Sequence, residues 1–160
     1  MPASRPFSET RVPALPHLVH GDGRHALIVD GAPYLVLGAQ CGNSSAWPAT
    51  LPKVWAAIEY LHANTLEAPV YWEQFEPAPG EFDTSLVDLL IAQAREHRVR
   101  LMLLWFGTWK NGSSHYMPLW MKRHPDVYPR LRGADGVRVD SPSPHAAATL
   151  DADRRAFCAL

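Results

Sequence analysis

Two carboxylates three residues apart, Glu73 and Glu76, stand in the run Ala68-Pro69-Val70-Tyr71-Trp72-Glu73-Gln74-Phe75-Glu76-Pro77. These residue types suit a sugar. Aromatic rings stack on the C–H faces of a pyranose, and carboxylates accept hydrogen bonds from its hydroxyls. Paired carboxylates also serve as acid and nucleophile in glycosidic cleavage, about 5–5.5 Å apart in retaining enzymes. A three-residue spacing on one loop can approach that distance. It leaves both groups on one side of a substrate, however, whereas the reaction needs them flanking the scissile bond. Glu76 lies in the turn Phe75-Glu76-Pro77, free to accept backbone N–H groups. Glu76 is therefore read as a structural turn residue and Glu73 as a ligand contact.

Such a site needs elements to hold it. The residues Thr65–Trp72 form an apolar run that turns polar and aromatic at its end. The same holds for Tyr34–Gln40 and Val99–Trp105. The three ends recur at roughly 32–33 residues, the size of a βα unit. Near-continuous apolar strands are those buried on both faces of a parallel sheet. Between them, Leu51, Val54, Trp55, Ile58 and Leu61 keep helical spacing behind a Thr50 cap with Pro52 in the first turn, and Asn64 is the expected stop. Val87, Leu90, Ile91 and Ala94 do the same behind Asp83 or Thr84, with His97-Arg98 at the negative end. Strands alternating with helices predict parallel pairing, and ligands bind at the C-terminal ends of such strands. The expected ligand contacts are Gln40 and Asn43 after the first strand, and Tyr71, Trp72 and Glu73 after the second. Trp105, Trp109, Lys110 and Asn111 follow the third.

The flanks are less regular. Residues 1–14 read as a flexible tail, and His17–His20 with His25–Asp30 as a hairpin around Gly21-Asp22-Gly23. A long loop runs over Gly107–Thr149, with a hairpin turn at Gly133-Ala134-Asp135-Gly136. A helix begins at Asp151.

Several classes fall away. The chain has 160 residues, 47% hydrophobic and 19% charged, with a net charge of −1. No basic stripe suits nucleic acid, and no apolar run is long enough for a membrane span. His17, His20 and His25 lack acidic or thiol partners at metal-ligand spacing, so no metal is expected. Gly38–Gly42 has neither dinucleotide spacing nor a P-loop lysine, and no cofactor is expected. Cys41 and Cys158 make no disulfide framework. With no apolar leader in Met1–Pro16, a cytoplasmic location is expected, with periplasm or secretion left open.

The stretch Ala68–Asp83 resembles the second-strand signature of family 35 glycoside hydrolases, the β-galactosidases. That signature is a strand ending in Trp, then Glu-Pro, then Gly-x-Phe-Asp, matched by Trp72, Glu76-Pro77 and Gly80-Glu81-Phe82-Asp83. Leu103–Gly112 with Tyr116–Trp120 is similar to a bacterial branch of that family and to the related family 42. The resemblance implies a (β/α)8 TIM barrel and retaining hydrolysis of terminal β-galactosides. Its acid/base glutamate follows the fourth strand and its nucleophile the seventh. Neither strand is expected here, so the resemblance implies no catalytic residue within the chain. The fold class is α/β: about three βα units plus a leading β-hairpin, over residues 15–160, forming the N-terminal part of the barrel. A galactoside-like carbohydrate is the implied partner, and the exposed sheet edge invites self-association. The alternative is a truncated, inactive product or a carbohydrate-binding remnant. One departure stands out. Many members of the family carry a sugar-binding Glu just after the third strand, where this chain has Trp105-Phe106-Gly107-Thr108-Trp109-Lys110.

Overall fold

The computed structural model describes residues 15–110 and 116–160. The tail expected over residues 1–14 and the candidate contact Asn111 lie outside them. The chain divides into two compact units, Met1–Val36 and Leu37–Leu160. Among the described residues the strands of the first unit pair only with one another.

In the first unit β1 (His17–Gly21), β2 (Arg24–Val29) and β3 (Ala32–Pro33) form an antiparallel sheet in that order. Asp22 and Gly23 join β1 to β2 with φ of 51° and 71°. Two positive φ values define the tight turn whose twist matches a hairpin, and Asp-Gly is the pair that tolerates them.

The second unit is built on a parallel sheet of β4 (Gly38–Gln40), β5 (Thr65–Tyr71) and β6 (Arg100–Phe106), in that order. Helix α1 (Leu51–Tyr60) links β4 to β5. The one-turn α2 (Trp72–Phe75) and then α3 (Ser85–Glu96) link β5 to β6. Leu51, Trp55 and Ile58 are the buried stripe of α1, and Val87, Leu90 and Ala94 that of α3. Val54 and Ile91 are half-buried, and Leu61 is exposed. Trp55 ties the two helices together. Its Nε1 donates to Gln93 Oε1 at 2.6 Å, and its ring stacks on His97 at 4.7 Å. Thr50 precedes α1 as expected but does not cap it. Its hydroxyl donates to the carbonyls of Ser45 and Trp47.

The strand expected over Tyr34–Gln40 shortens to Gly38–Gln40, and Leu35 and Leu37 are 73% and 54% exposed. Its ladder with β5 begins at Gly38↔Thr65, and no described strand pairs its other edge. Asn64 holds the chain there instead. Its Oδ1 accepts from the Leu37 N–H, and its own N–H donates to the Leu37 carbonyl.

The long loop after β6 contains structure of its own. Helix α4 (Leu119–Lys122) is followed by a hairpin of β7 (Arg130–Arg132) and β8 (Arg138–Pro142). Helix α5 (Ala147–Ala159) begins four residues earlier than expected. Among the described residues no helix is long and apolar enough to cross a membrane.

Candidate functional site

The strand ends sort the expected contacts into two groups. Successive strand side chains point to opposite faces. Tyr71 is level with Phe106, and Val70 with Trp105. Val70 and Trp105 pack with Phe75, Val87 and Ile91, on the side covered by α3. Tyr71 and Phe106 therefore face the other way.

On that other side Tyr71 packs against Phe106, Tyr116 and Trp47, with centroids 6.0, 5.3 and 5.6 Å away. Its phenol oxygen accepts the Ala46 N–H at 3.3 Å. Burial is the main reason its pKa is pushed up to about 12, so the phenol keeps its proton at neutral pH. Lys110 Nζ lies 4.7 Å from the centre of the Phe106 ring. Trp109 is half exposed, Gln40 is exposed and Asn43 is half-buried. Glu73 is exposed, with its carboxylate 3.6 Å from Lys122 Nζ and its N–H on the Tyr116 carbonyl. Cys41 is buried, and burial pushes its thiol up, which leaves it a poor nucleophile.

The other group is a packed network. Trp72 is fully buried, and its Nε1 donates to Glu76 Oε2 at 2.7 Å. Glu76 is also fully buried. Its Oε1 accepts from the Gly80 N–H at 2.8 Å and lies 3.4 Å from the Arg155 guanidinium. Trp120 Nε1 donates to the Glu76 carbonyl at 2.9 Å. Trp105 Nε1 donates to Asp153 Oδ1 at 2.7 Å. Burial pushes the Asp153 carboxyl up, an effect the indole partly offsets. Trp72 and Trp105 were expected to touch ligand. Trp72 lies on α2 rather than at the strand end, and Trp105 points to the helix-covered side. Their rings pack on each other at 5.9 Å and on Met121, Ala152, Phe75 and Phe157, so they support the strand ends from beneath. Nor do Glu73 and Glu76 make a catalytic pair. One is exposed beside a lysine, and the other is buried with both oxygens engaged.

Sequence reasoning missed Asp153, Arg155 and Trp47, and named Gln74 only as a group at the second strand end. Asp153 and Arg155 carry no local signal, because their partners are 48 and 79 residues away. Trp47 and Gln74 line a cleft that only the fold creates. Gln74 Nε2 and Thr149 Oγ1 are buried without a hydrogen-bond partner among the described residues. Such an orphan group costs about 1–3 kcal/mol. Among the described residues no group of three or more His, Cys, Asp or Glu is placed to hold a metal.

No protein-family model matches the chain, and no curated protein matches it. Among solved structures it is similar to the exo-beta-1,4-mannosidase Op5Man5 from Opitutaceae bacterium strain TAV5. That match has 26% identity over 56% of this chain and 18% of that one, with a TM-score of 0.46. It is also similar to endo-glycoceramidase II from Rhodococcus sp., at 19% identity over 79% of this chain and 31% of that one, with a TM-score of 0.43. Both neighbours are glycoside hydrolases. The chain spans less than a third of the length of either.

Proposed function

We propose that this chain supplies part of the substrate pocket of a β-galactosidase-type, retaining glycoside hydrolase. The observation that most supports this reading is the parallel sheet β4-β5-β6. Its C-terminal ends lead into Gln40, Asn43, Glu73, Trp109 and Lys110, all at least partly open to solvent. Amides, a carboxylate and an ammonium answer sugar hydroxyls, and an exposed indole answers a C–H face. Asn111 is assigned to the same wall. The acid/base and nucleophile glutamates are assigned to barrel strands outside these residues. The engagement of Glu76 and the pairing of Glu73 with Lys122 favour a second reading, a carbohydrate-binding remnant without turnover. In either case the partner is a galactoside-like sugar, and the unpaired sheet edges bring copies of the chain together.

Calorimetric titration with a galactose-configured iminosugar tests this, alongside turnover of a nitrophenyl β-galactoside. Binding without turnover is expected. In Trp109→Ala binding should weaken by about fivefold, since ring stacking is worth about 0.5–1.5 kcal/mol. Absence of binding in the wild-type chain overturns the sugar reading. Turnover by the chain alone overturns the assignment of the catalytic glutamates elsewhere.

A further inference from the structure

The charges at the strand ends do not cancel. Lys110 follows the end of β6 and is half-buried, with its Nζ 4.7 Å from the centre of the buried Phe106 ring. A ring face attracts an ammonium but leaves its charge in place. Among the described residues Lys110 forms no ion pair, because the acids around it are committed elsewhere or distant. Glu73 is held 3.6 Å from Lys122 Nζ. Glu76 and Asp153 belong to the other group, engaged by the Trp72 and Trp105 indoles. Glu67 shares the Tyr71 face of β5 but stands four residues back, about 13 Å along the strand. That exceeds the screening length of about 8 Å at physiological ionic strength. Burial keeps the Tyr71 phenol protonated, so it adds no negative charge. Lys110 and Lys122 against Glu73 leave one positive charge in excess. The excess sits on a supported group, since Phe106 beneath Lys110 is packed between Tyr71 and Tyr116, with centroids 6.0 and 5.0 Å away.

The geometry points to an anionic galactoside as the ligand of this site, a sugar whose carboxylate or sulfate ester meets Lys110 Nζ. This inference rests on the sugar reading above and narrows its substrate class. A lysine ammonium offers three donors and no acceptor, and it binds an oxyanion as a compact point charge. A neutral galactoside would leave that charge unanswered, whereas one anionic group on the sugar balances the site.

The test uses the full chain and three probes that differ only at C6: methyl β-galactoside, the corresponding galacturonide and the corresponding 6-sulfate. Binding is measured by calorimetric titration at low and at high salt. At least one anionic probe should bind about fivefold more tightly than the neutral one at low salt, with the advantage shrinking as salt is added. Whether the galacturonide or the 6-sulfate gains more tells a carboxylate from a sulfate ester as the group recognised. Lys110→Met keeps the stem over Phe106 and should bring all three probes to similar affinity, while Lys110→Arg should retain the anion preference. Equal wild-type affinities for the three probes would overturn this inference and leave the sugar reading standing. So would an anion preference that survives in Lys110→Met. If Lys110→Met fails to fold, the wild-type ranking and its salt dependence still decide. No binding of any of the three overturns the sugar reading and this inference with it.

Discussion

Glu76 is the residue on which the strand end hangs. Its oxygens receive the Trp72 indole and the Gly80 N–H, both at 2.8 Å or less, with Arg155 adjacent. Glu76→Ala orphans those donors in a buried site. A loss of about 3 kcal/mol is expected, read as a lower urea midpoint at unchanged slope. Glu76→Gln keeps one acceptor and should lose less. Asp153 supplies a pH test. Burial raises its pKa above the ordinary 3.8, so the folded chain holds a proton that the unfolded chain releases. Stability therefore falls as pH rises from 3.8 through the raised folded value. Asp153→Asn removes that slope and keeps an oxygen for Trp105. Its melting temperature relative to wild type should climb across that window and then level off. Asp83 runs the other way. The Ser85 hydroxyl, then the Ser85 N–H, lower its pKa, so its contribution is lost in acid, equally in both proteins, and cancels in the comparison.

The elements explain how much of the site could be read in advance. Long periodic segments were legible. The stripes Leu51-Trp55-Ile58 and Val87-Leu90-Ala94 are the buried faces of α1 and α3, and the Asp22-Gly23 turn sits where the dipeptide says. Short elements were not. Helix α4 has four residues and β7 three, too few for a periodicity to show, although the turn between β7 and β8 falls at the expected Gly133–Gly136. The tryptophans illustrate the same limit at the site. Aromatic clustering after strands was visible, but which face each ring takes depends on one residue of register. The end of β5 at Tyr71, and its alignment with Phe106, sent Trp105 to the helix side. Gly107, just past β6, shows how tightly that side is closed. A Cβ there would meet Trp105 Nε1 at 2.6 Å and Asp153 Oδ1 at 2.8 Å. Gly107→Ala should cost about 1–3 kcal/mol through forced side-chain shifts. A thermal scan showing no loss would mean the indole–carboxylate contact gives way freely.

At the scale of the whole molecule, the second unit is a sheet with two unpaired edges among the described residues, β4 and β6. Beside β4 lies a groove of about 330 Å³ lined by Ala39, Cys41, Ile58 and Leu61. On β6 Met102 is 41% exposed. Open strands with apolar surroundings template association, and natural proteins blunt them with lysine. Sedimentation should show concentration-dependent oligomers, and Met102→Lys should shift the distribution toward monomer. A monomer at every concentration in the wild-type chain would contradict this.

The bonds from Trp105 to Asp153 and from Glu76 to Arg155 also bear on the order of assembly. They close loops of 48 and 79 residues. Closing long loops is entropically uphill and slow compared with forming a local helix or a two-residue hairpin. As the chain leaves the ribosome from its N-terminus, β5, β6 and the Trp72 and Trp105 indoles emerge well before α5. Through that interval the carboxylate of Glu76 and the Trp105 indole N–H have water where Arg155 and Asp153 will be. The arrival of α5 is thus what dries the end of the second strand, and a nascent chain paused before residue 153 presents its tryptophans wet.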